Sequence, residues 1–358
     1  MSPGVFPPAF AAAALTAALA TPAFAQVQTE VPPVVDGAQP VTIERIQVHG
    51  TFLEGNLEGN AVDRDVIVFL PPTYRDEPER RYPVVYALHG YSIGAEQWSQ
   101  EIHVPQTIEG AFGLGAREMI VVLPDSKTMH NGSRYSSSVT TGDFERFVAH
   151  DVVENIDAKY RTIPERRSRG LVGHSMGGYG ATRIGMKHAD VFGSLYIMSP
   201  GLSSTDPEPP SSEELATLDA MTSPAESTDL PGSVRSLLSR AAAWSPNPEN
   251  PPLYVDLPWQ DGEARAEILA KWSANHPLAF IDQYVSDLRR YDAIAIDVGD
   301  EDDLRVGARR LSEILDSYGI AHEFEVYPGT HTSGMAVRFQ NHVMPFFSDH
   351  LCGTAGCP

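Results

Sequence analysis

A serine lies between two glycines in the stretch Gly173-His174-Ser175-Met176-Gly177, where a short apolar segment passes into an amphipathic one. In such a strand-to-helix context, G-x-S-x-G forms a sharp turn that leaves the serine hydroxyl free. The N-terminus of the following helix also favours negative charge nearby. The sequence therefore predicts that Ser175 is a nucleophile for acyl transfer. The alternative is a glycine-rich helix start with an idle serine.

A serine hydroxyl needs a general base, and in the fold that carries this turn the chain order is serine, acid, histidine. His331 directly follows the last predicted strand, in Tyr327-Pro328-Gly329-Thr330-His331. Other histidines lie on or beyond the last helix, before that strand, or beside the nucleophile: His342, His350, His322 and His174. We predict that His331 is the base, and the alternative is a histidine on a surface loop.

The acid that orients the histidine should follow the preceding strand. The segment that begins at Ala293 offers four aspartates: Asp297, Asp300, Asp302 and Asp303. We favour Asp302 as the acid. Asp300 and Asp303 stay open as alternatives, although one of them could simply cap the helix that begins near Leu304. The acidic cluster lacks the spacing of an EF-hand, so no metal site is expected there.

Acyl transfer also requires N–H donors for the oxyanion of the tetrahedral intermediate. The backbone N–H of Met176, directly after the nucleophile, is one candidate. His89-Gly90-Tyr91 follows another strand and places the N–H of Tyr91 as the second. We expect His89 itself to be structural, with its ring packed beneath this loop. Chemistry of this kind needs no metal and no organic cofactor.

Strands and helices alternate along the chain that positions these residues. Apolar runs predict strands at Val41 to Val48, Asp65 to Leu70, Val84 to Leu88, Met119 to Leu123, Gly170 to Gly173, Leu195 to Met198, Ala293 to Val298 and Glu323 to Tyr327. Residues at helical spacing predict helices at Phe144 to Tyr160, Ser175 to His188, Asp303 to Tyr318 and Met335 to Phe347. The pattern favours an α/β fold, with a mostly parallel, doubly wound sheet of about eight strands.

Residues 201–277 interrupt this alternation with Pro, Ser and Glu clusters and short helical pieces, such as Glu263 to Trp272. A stretch this long between two core strands is either a cap over the site or a surface excursion. Its aromatic residues favour the cap: Trp244, Tyr254, Trp259 and Trp272.

The two ends of the chain differ from its body, residues 41–350, which we expect to form one domain. Residues 1–25 carry no charged side chain and end in Ala23-Phe24-Ala25, which predicts a secretory signal peptide, although no Lys or Arg precedes the apolar run. We therefore expect a secreted or periplasmic protein without a membrane anchor. Residues 26–40 resemble a Pro-rich linker, and residues 351–358 form a tail.

The chain is acidic, with 26 Lys and Arg against 47 Asp and Glu and a formal charge of −21. Nucleic acid and anionic membrane surfaces would be repelled by such a protein. Its only cysteines, Cys352 and Cys357, could close a small loop in an oxidising compartment, and a lone C-x4-C is a poor metal site.

Several of these segments together resemble the family of α/β-hydrolases described as putative esterases, which includes S-formylglutathione hydrolases, feruloyl esterases and mycolyltransferases. The resemblance runs from about Val41 to Ser348. It rests on Leu88-His89-Gly90 with Trp98, Pro124-Asp125, the block Tyr135 to Gly142, Asp143 to Asp157-x-x-Tyr160-Arg161-Thr162, the turn at Ser175, Gly299-x-x-Asp302 and Gly329-x-His331. It implies that Asp302 is the acid and that Tyr91 and Met176 provide the oxyanion donors.

The same resemblance implies a pocket lined by Tyr135 and Ser136 to Ser138, although a turn or capping role would equally suit those serines. Trp98 is carried over as a second substrate-binding residue. We expect an esterase acting on a small-molecule or carbohydrate-linked ester. Alternatives are an acyltransferase using the same site, a peptidase, and a carbohydrate-binding protein without turnover. The sequence leaves the substrate and the oligomeric state open.

Overall fold

The computed structural model describes residue 1 and residues 27–202, 209–260, 262–354, 356 and 357. All but the first residue of the predicted signal peptide, 1–25, therefore lies outside the described residues. Within the described ranges, no helix combines the length and the apolar character that crossing a membrane requires.

The described residues build one large sheet of eight strands, which confirms the predicted fold class. The strands are β1 (Thr42–His49), β2 (Asp63–Leu70), β3 (Val84–Leu88), β4 (Ile120–Pro124), β5 (Arg169–His174), β6 (Ser194–Met198), β7 (Ala293–Gly299) and β8 (Glu323–Tyr327). Their order across the sheet is β1-β2-β4-β3-β5-β6-β7-β8. Strand β2 runs antiparallel to both of its neighbours, and the other pairs are parallel. The carboxyl ends of β3, β5, β7 and β8 therefore meet at one edge.

Helices cover both faces of the sheet. They are α1 (Ala95–Glu101), α2 (Val104–Gly113), α3 (residues 144–159, with a wider π-helical segment at Phe147–Val152), α4 (Met176–Lys187), α5 (Ser212–Asp219), α6 (Gly232–Trp244), α7 (Ala266–Asn275), α8 (Pro277–Phe280), α9 (Val285–Leu288), α10 (Arg305–Ser317) and α11 (residues 335–350, with a π-helical segment at Phe339–Val343). Short 3-10 turns occur at Thr51–Leu53, Pro72–Tyr74, Arg166–Ser168, Pro224–Asp229 and Ile281–Tyr284.

The central strands are buried on both faces, as their unbroken apolar runs predict. Every residue of β3 and β4 is buried. On one face Tyr86 of β3 packs edge-on against Phe192, and on the other Trp98 of α1 packs edge-on against Phe339 of α11. Two apolar cores thus hold the sheet rigid beneath the edge at which the candidate residues lie.

Helices α1 and α2, between β3 and β4, were not predicted from the sequence. Helix α1 is short, and Pro105 lies in the first turn of α2. A short helix and a proline both weaken the period on which sequence patterns depend. In residues 201–277 the expected helix at Glu263 is wrong in its start, because Glu263 pairs with Gln260 in a two-stranded ladder and α7 begins at Ala266.

The segment at residues 201–277 packs on the loop at residues 128–143 through hydrogen bonds. Ser138 donates to the carbonyl of Ala242, and Thr140 Oγ1 donates to the carbonyl of Tyr254 over 2.7 Å. Tyr179 of α4 donates to the carbonyl of Asn275 over 2.9 Å. The segment is therefore tied both to this loop and to the helix that follows Ser175.

A buried polar chain adds a further tie. Glu58 Oε1 lies 3.0 Å from His130 Nε2, and His130 Nδ1 lies 3.0 Å from the hydroxyl of Ser227. That hydroxyl donates to the carbonyl of Pro224 over 2.7 Å. A neutral His130 can donate from Nδ1 to Ser227, while its Nε2 faces the carboxyl group of Glu58. Burial raises the pKa of Glu58 to about 8 and lowers the pKa of His130 to about 3, in agreement with a neutral pair.

We predict that Glu58→Gln changes the pH dependence of stability. In the unfolded chain Glu58 and His130 titrate near 4.5 and 6.5. Between those two pH values, unfolding releases the proton of Glu58 and adds a proton to His130, so the two contributions to the pH dependence of stability cancel. From about pH 6.5 to 8 only the proton release from Glu58 remains, so the wild-type free energy of unfolding falls as pH rises. The amide of the variant has nearly the same size as a protonated carboxyl group but does not titrate, so its loss of stability over this window should be smaller.

Urea unfolding at pH 6.5, 7.25 and 8.0 measures the difference between the two proteins. The exposed Glu79 provides the control, since Glu79→Gln should follow the wild type at every pH. Parallel curves for Glu58→Gln and wild type would contradict a protonated Glu58.

Candidate active site

Ser175 occupies the turn between β5 and α4 in a strained conformation, with φ 59° and ψ −114°. A non-glycine residue at positive φ is uncommon and costs about 1–3 kcal/mol, which the surrounding structure must hold in place. Two backbone hydrogen bonds do so here. The N–H of Ser175 donates to the carbonyl of Met198 over 3.1 Å, and its own carbonyl accepts from Gly201 over 2.8 Å.

The glycines on either side of the serine are required by close backbone contacts. A Cβ at Gly173 would lie 2.1 Å from the carbonyl oxygen of Gly177, and a Cβ at Gly177 would lie 2.0 Å from the carbonyl oxygen of Leu88. Because backbone atoms cannot move aside as the end of a flexible side chain can, neither position has room for a larger residue. The two glycines thus occur at this spacing because the start of α4 lies in direct contact with the ends of β3 and β5.

The structure brings His331 and Asp302 together with Ser175. His331 Nε2 lies 2.9 Å from the hydroxyl oxygen of Ser175, and His331 Nδ1 lies 2.8 Å from Asp302 Oδ2. An ionised Asp302 can only accept, so Nδ1 carries the proton and Nε2 is left free to accept from the serine. Asp302 is 5% exposed, whereas His331 is partly open to solvent.

Electrostatics favour the ionised form of Asp302. Burial acts to raise the pKa of Asp302, but hydrogen bonds from His331 and from the N–H of Leu304 outweigh burial and hold the pKa below its usual value. The bond from Leu304 to Asp302 Oδ1 is 2.8 Å long. The carboxylate is therefore fixed at both oxygens before any substrate binds.

The other aspartates of the cluster have different places. Asp300 Oδ1 accepts from the N–H of Gly329 over 2.9 Å and so fixes the loop that carries His331. The side chain of Asp303 is exposed, and neither Asp300 nor Asp303 caps α10. Asp297 is buried in β7 against Arg338. Among these aspartates, Asp302 is the one in contact with the histidine.

Two buried histidines support the site. His174 Nε2 lies 2.8 Å from the carbonyl oxygen of His331, and their rings are 4.6 Å apart. Burial, with the nearby His331, lowers the pKa of His174 to about 3, so His174 is neutral and donates to that carbonyl. His174 therefore holds the backbone of His331, a role the sequence did not reveal because His174 only flanks the serine in the chain.

His89 lies beneath the second loop of the site. Its Nε2 accepts from the N–H of Ser126 over 2.8 Å, and its Nδ1 is 2.9 Å from the carbonyl oxygen of Gly90. Burial lowers the pKa of His89, so the neutral ring donates to Gly90. These contacts fix the loop that leads to Tyr91.

The expected oxyanion donors are the N–H groups of Met176 and Tyr91. Met176 is the first residue of α4, so its N–H has no acceptor within the helix. Among the described residues the N–H of Tyr91 also has no acceptor. The loop of Tyr91 is close to the nucleophile, because a Cβ at Gly90 would lie 3.5 Å from that of Ser175.

Two expected substrate contacts do not fit the structure. Trp98 is fully buried in α1 and packs on Phe339, so its ring belongs to the core and the prediction of a substrate contact is wrong. Tyr135 is also fully buried and donates to the carbonyl of His89 over 3.1 Å. Its hydroxyl supports the loop of His89 from below. Both errors arose because aromatic residues near a motif can pack in a core as well as face a ligand.

In the described ranges, no group of three or more His, Cys, Asp or Glu side chains is arranged to hold a metal ion. What the structure brings together is a serine hydroxyl, a histidine that contacts it and an aspartate that contacts the histidine. Such an arrangement is suited to acyl transfer.

Comparisons with known proteins support the same chemistry. A family model described as "Putative esterase" matches residues 61–343. Esterase Rv1288 of Mycobacterium tuberculosis is 31% identical over 132 residues, which cover 36% of this chain and 27% of that protein. The chain covers only 27% to 39% of the length of the first curated relatives that it matches.

Solved structures share the fold. A ferulic acid esterase has 24% sequence identity and a TM-score of 0.60, with 87% of this chain and 98% of that chain covered. The fluorophosphonate-binding serine hydrolase FphF of Staphylococcus aureus has 16% identity and a TM-score of 0.57, with 86% and 98% covered.

We predict that Gly173→Ala destabilises the protein by about 1–3 kcal/mol, the usual cost of forcing an added methyl group into a packed site. The methyl group would collide with the carbonyl of Gly177. Urea unfolding measures the change. Gly232→Ala is the matched control, since a Cβ there meets nothing within 4 Å and the position opens α6. Equal stabilities of the two variants would show that the contact at Gly173 relaxes freely.

Proposed function

Since the chain belongs to the family described as "Putative esterase", we propose that it is a secreted serine esterase that hydrolyses carboxylic esters through an acyl-enzyme on Ser175. The observation that carries the proposal is the continuous hydrogen-bonded path from Ser175 through His331 to Asp302. The strained turn at Ser175 adds to it, because such strain is characteristic of functional sites.

In the proposed first half-reaction the hydroxyl oxygen of Ser175 attacks the ester carbonyl carbon while its proton passes to His331 Nε2. The carbonyl oxygen becomes an oxyanion that accepts hydrogen bonds from the N–H groups of Met176 and Tyr91. Asp302 stabilises the imidazolium and keeps the ring oriented. The intermediate then collapses, and the alcohol leaves with the proton from His331.

In the second half-reaction water attacks the acyl-enzyme and gives its proton to His331 Nε2. Collapse of the second intermediate returns this proton to Ser175 and releases the carboxylic acid. His331 thus acts as base and then as acid in each half, and the cycle requires no metal or organic cofactor.

Export of the protein is part of the same proposal. The uncharged leader at residues 1–25 ends in an A-x-A pattern, and Cys352 and Cys357 form a disulfide, which suits an oxidising compartment. Mass spectrometry of the exported protein should give a mature N-terminus at Gln26.

Ser175→Ala should abolish both ester hydrolysis and covalent labelling. We expect the wild type to react with a fluorophosphonate probe and to turn over a panel of acyl esters of increasing chain length, and both signals should be lost in the variant. Labelling of Ser175→Ala at another residue, or turnover at the wild-type rate, would contradict the proposed nucleophile.

Asp302→Asn should lower kcat by about 10³- to 10⁴-fold, because the amide no longer holds the imidazole in the productive tautomer. Asp303→Asn removes a carboxylate one residue away, with an exposed side chain, and should leave kcat within about twofold. Rates on one short-chain aryl ester at pH 7.5 compare the two variants. Similar losses in both would refute the assignment of Asp302.

A further inference from the structure

Arg134 is held in place beside the proposed oxyanion loop. Its guanidinium lies 4.6 Å from the ring centroid of Tyr91 and donates from Nε to the hydroxyl of Ser239 over 3.0 Å and from Nη2 to that of Ser236 over 3.1 Å. Both serines belong to α6. Arg134 therefore joins the loop at residues 128–143 to the segment at residues 201–277. The side chains that contact its guanidinium here are all neutral.

Arg240 lies on the same helix, one turn after Ser236. Its guanidinium packs 5.4 Å from the ring centroid of Trp272, and its Nε donates to the backbone carbonyl of Ser236 at 3.4 Å. Arg240 is close enough to Arg134 for its charge to lower the pKa of Arg134, which burial and this repulsion together bring to about 10. Both guanidinium groups thus lie beside Ser236.

Neither cation has an acidic partner within the described part of the chain. No carboxylate contributes to the electrostatics of either Arg134 or Arg240. Four enclosed arginines do have such a partner, namely Arg64 with Asp125, Arg169 with Asp157, Arg183 with Glu145 and Arg338 with Asp297, whereas Arg161 and Arg235 donate to backbone carbonyls. In a chain with 47 acidic residues and only 26 basic ones, two adjacent unpaired arginines are unexpected.

An open cavity adjoins Arg240. It has a volume of about 460 Å³ and is lined by Arg240 together with Ser233, Ser236 and Leu237. Glu214 borders the same cavity, but its carboxylate accepts from the N–H of Ser211 over 2.8 Å and forms no ion pair with Arg240.

The pair is also coupled to the proposed oxyanion donors. Gly132 lies two residues before Arg134, and a Cβ there would be 2.5 Å from the sulfur of Met176 and 2.9 Å from the ring of Tyr91. The loop that carries Arg134 therefore contacts the side chains of the same two residues whose N–H groups are the proposed donors.

We propose that Arg134 and Arg240 form an anion subsite, and that the substrate is an ester which carries a carboxylate or a similar planar anion. This inference rests on the proposed esterase function and narrows its substrate class. Guanidinium groups bind carboxylates through paired N–H donors, and such bonds gain strength when the cation is already withdrawn from water. An unpaired, partly desolvated cation is costly, and a substrate anion would offset this cost.

Two matched pairs of esters test the subsite on either side of the ester bond. In the acyl pair, phenyl hydrogen succinate is compared with phenyl 4-methylpentanoate, which replaces the carboxylate by an isopropyl group of the same shape. In the alcohol pair, the acetyl ester of 3-hydroxybenzoate is compared with that of 3-isopropylphenol. Rates with Ser175→Ala are subtracted, because succinate hemiesters also hydrolyse unaided.

We expect kcat/KM to favour the anionic member of at least one pair by about tenfold or more, mainly through KM, as a charge-assisted hydrogen bond provides. Arg134→Gln and Arg240→Gln should each reduce that ratio several-fold. Arg310→Gln is the matched control, since this exposed arginine of α10 pairs only with Glu313 at 3.4 Å, and it should keep the wild-type ratio. The favoured pair identifies the side of the ester that carries the anion.

Turnover of neutral esters with no anionic preference in either pair, or ratios that both arginine variants leave unchanged, would overturn the subsite and leave the esterase proposal standing. If either variant fails to fold, the wild type alone decides: succinate should inhibit hydrolysis of the neutral ester competitively, and succinamide should not. If the wild type hydrolyses no ester, the esterase proposal fails. Calorimetric binding of phenyl hydrogen succinate to wild type and to Arg240→Gln then tests the subsite directly.

Discussion

The close approach of α4 to the strands β3 and β5 is the constraint on which the rest of the site depends. With Gly173 and Gly177 on either side, the backbone of the helix lies against the ends of the strands, and this contact, with the hydrogen bonds to Met198 and from Gly201, holds Ser175 at positive φ. The strain at one residue is balanced by the packing of two apolar cores under the sheet. Any change that lets the helix move outward would also move Ser175 away from His331.

Around that turn, two buried, neutral histidines fix the backbone of His331 and the loop that carries Tyr91. His174 is neutral because it is buried, and for that reason it can donate to the backbone of His331 without placing a second positive charge beside the base. His89 fixes the loop of Tyr91 in the same way. A charged histidine in either place would repel the imidazolium that the proposed mechanism forms at His331. The burial of these rings thus serves the electrostatics of the site as well as its shape.

The sequence predicted all eight strands of the sheet and their mostly parallel arrangement, because buried strands of a parallel sheet read as short Val- and Ile-rich runs. It also predicted which side chains would meet, since Ser175, Asp302 and His331 each follow a separate strand at the same edge. It failed for Trp98 and Tyr135, because burial of an aromatic ring is decided by tertiary packing and leaves no signal in the spacing. The supporting role of His174 was hidden for the same reason, as its partner is 157 residues away.

The segment at residues 201–277 shows that the net charge of a chain does not describe the local charge of a site. A formal charge of −21 suggests a surface that repels anions, and at long range it would. Within about 10 Å, however, local cations dominate, because charges farther away are largely screened by salt. Arg134 and Arg240 meet at α6, where their partners are serines, a tyrosine and a tryptophan. Sequence composition averages over such a site, whereas the side chains that meet there come from a loop and from a helix about a hundred residues later. The acidity of the whole chain and the proposed cationic subsite are therefore compatible.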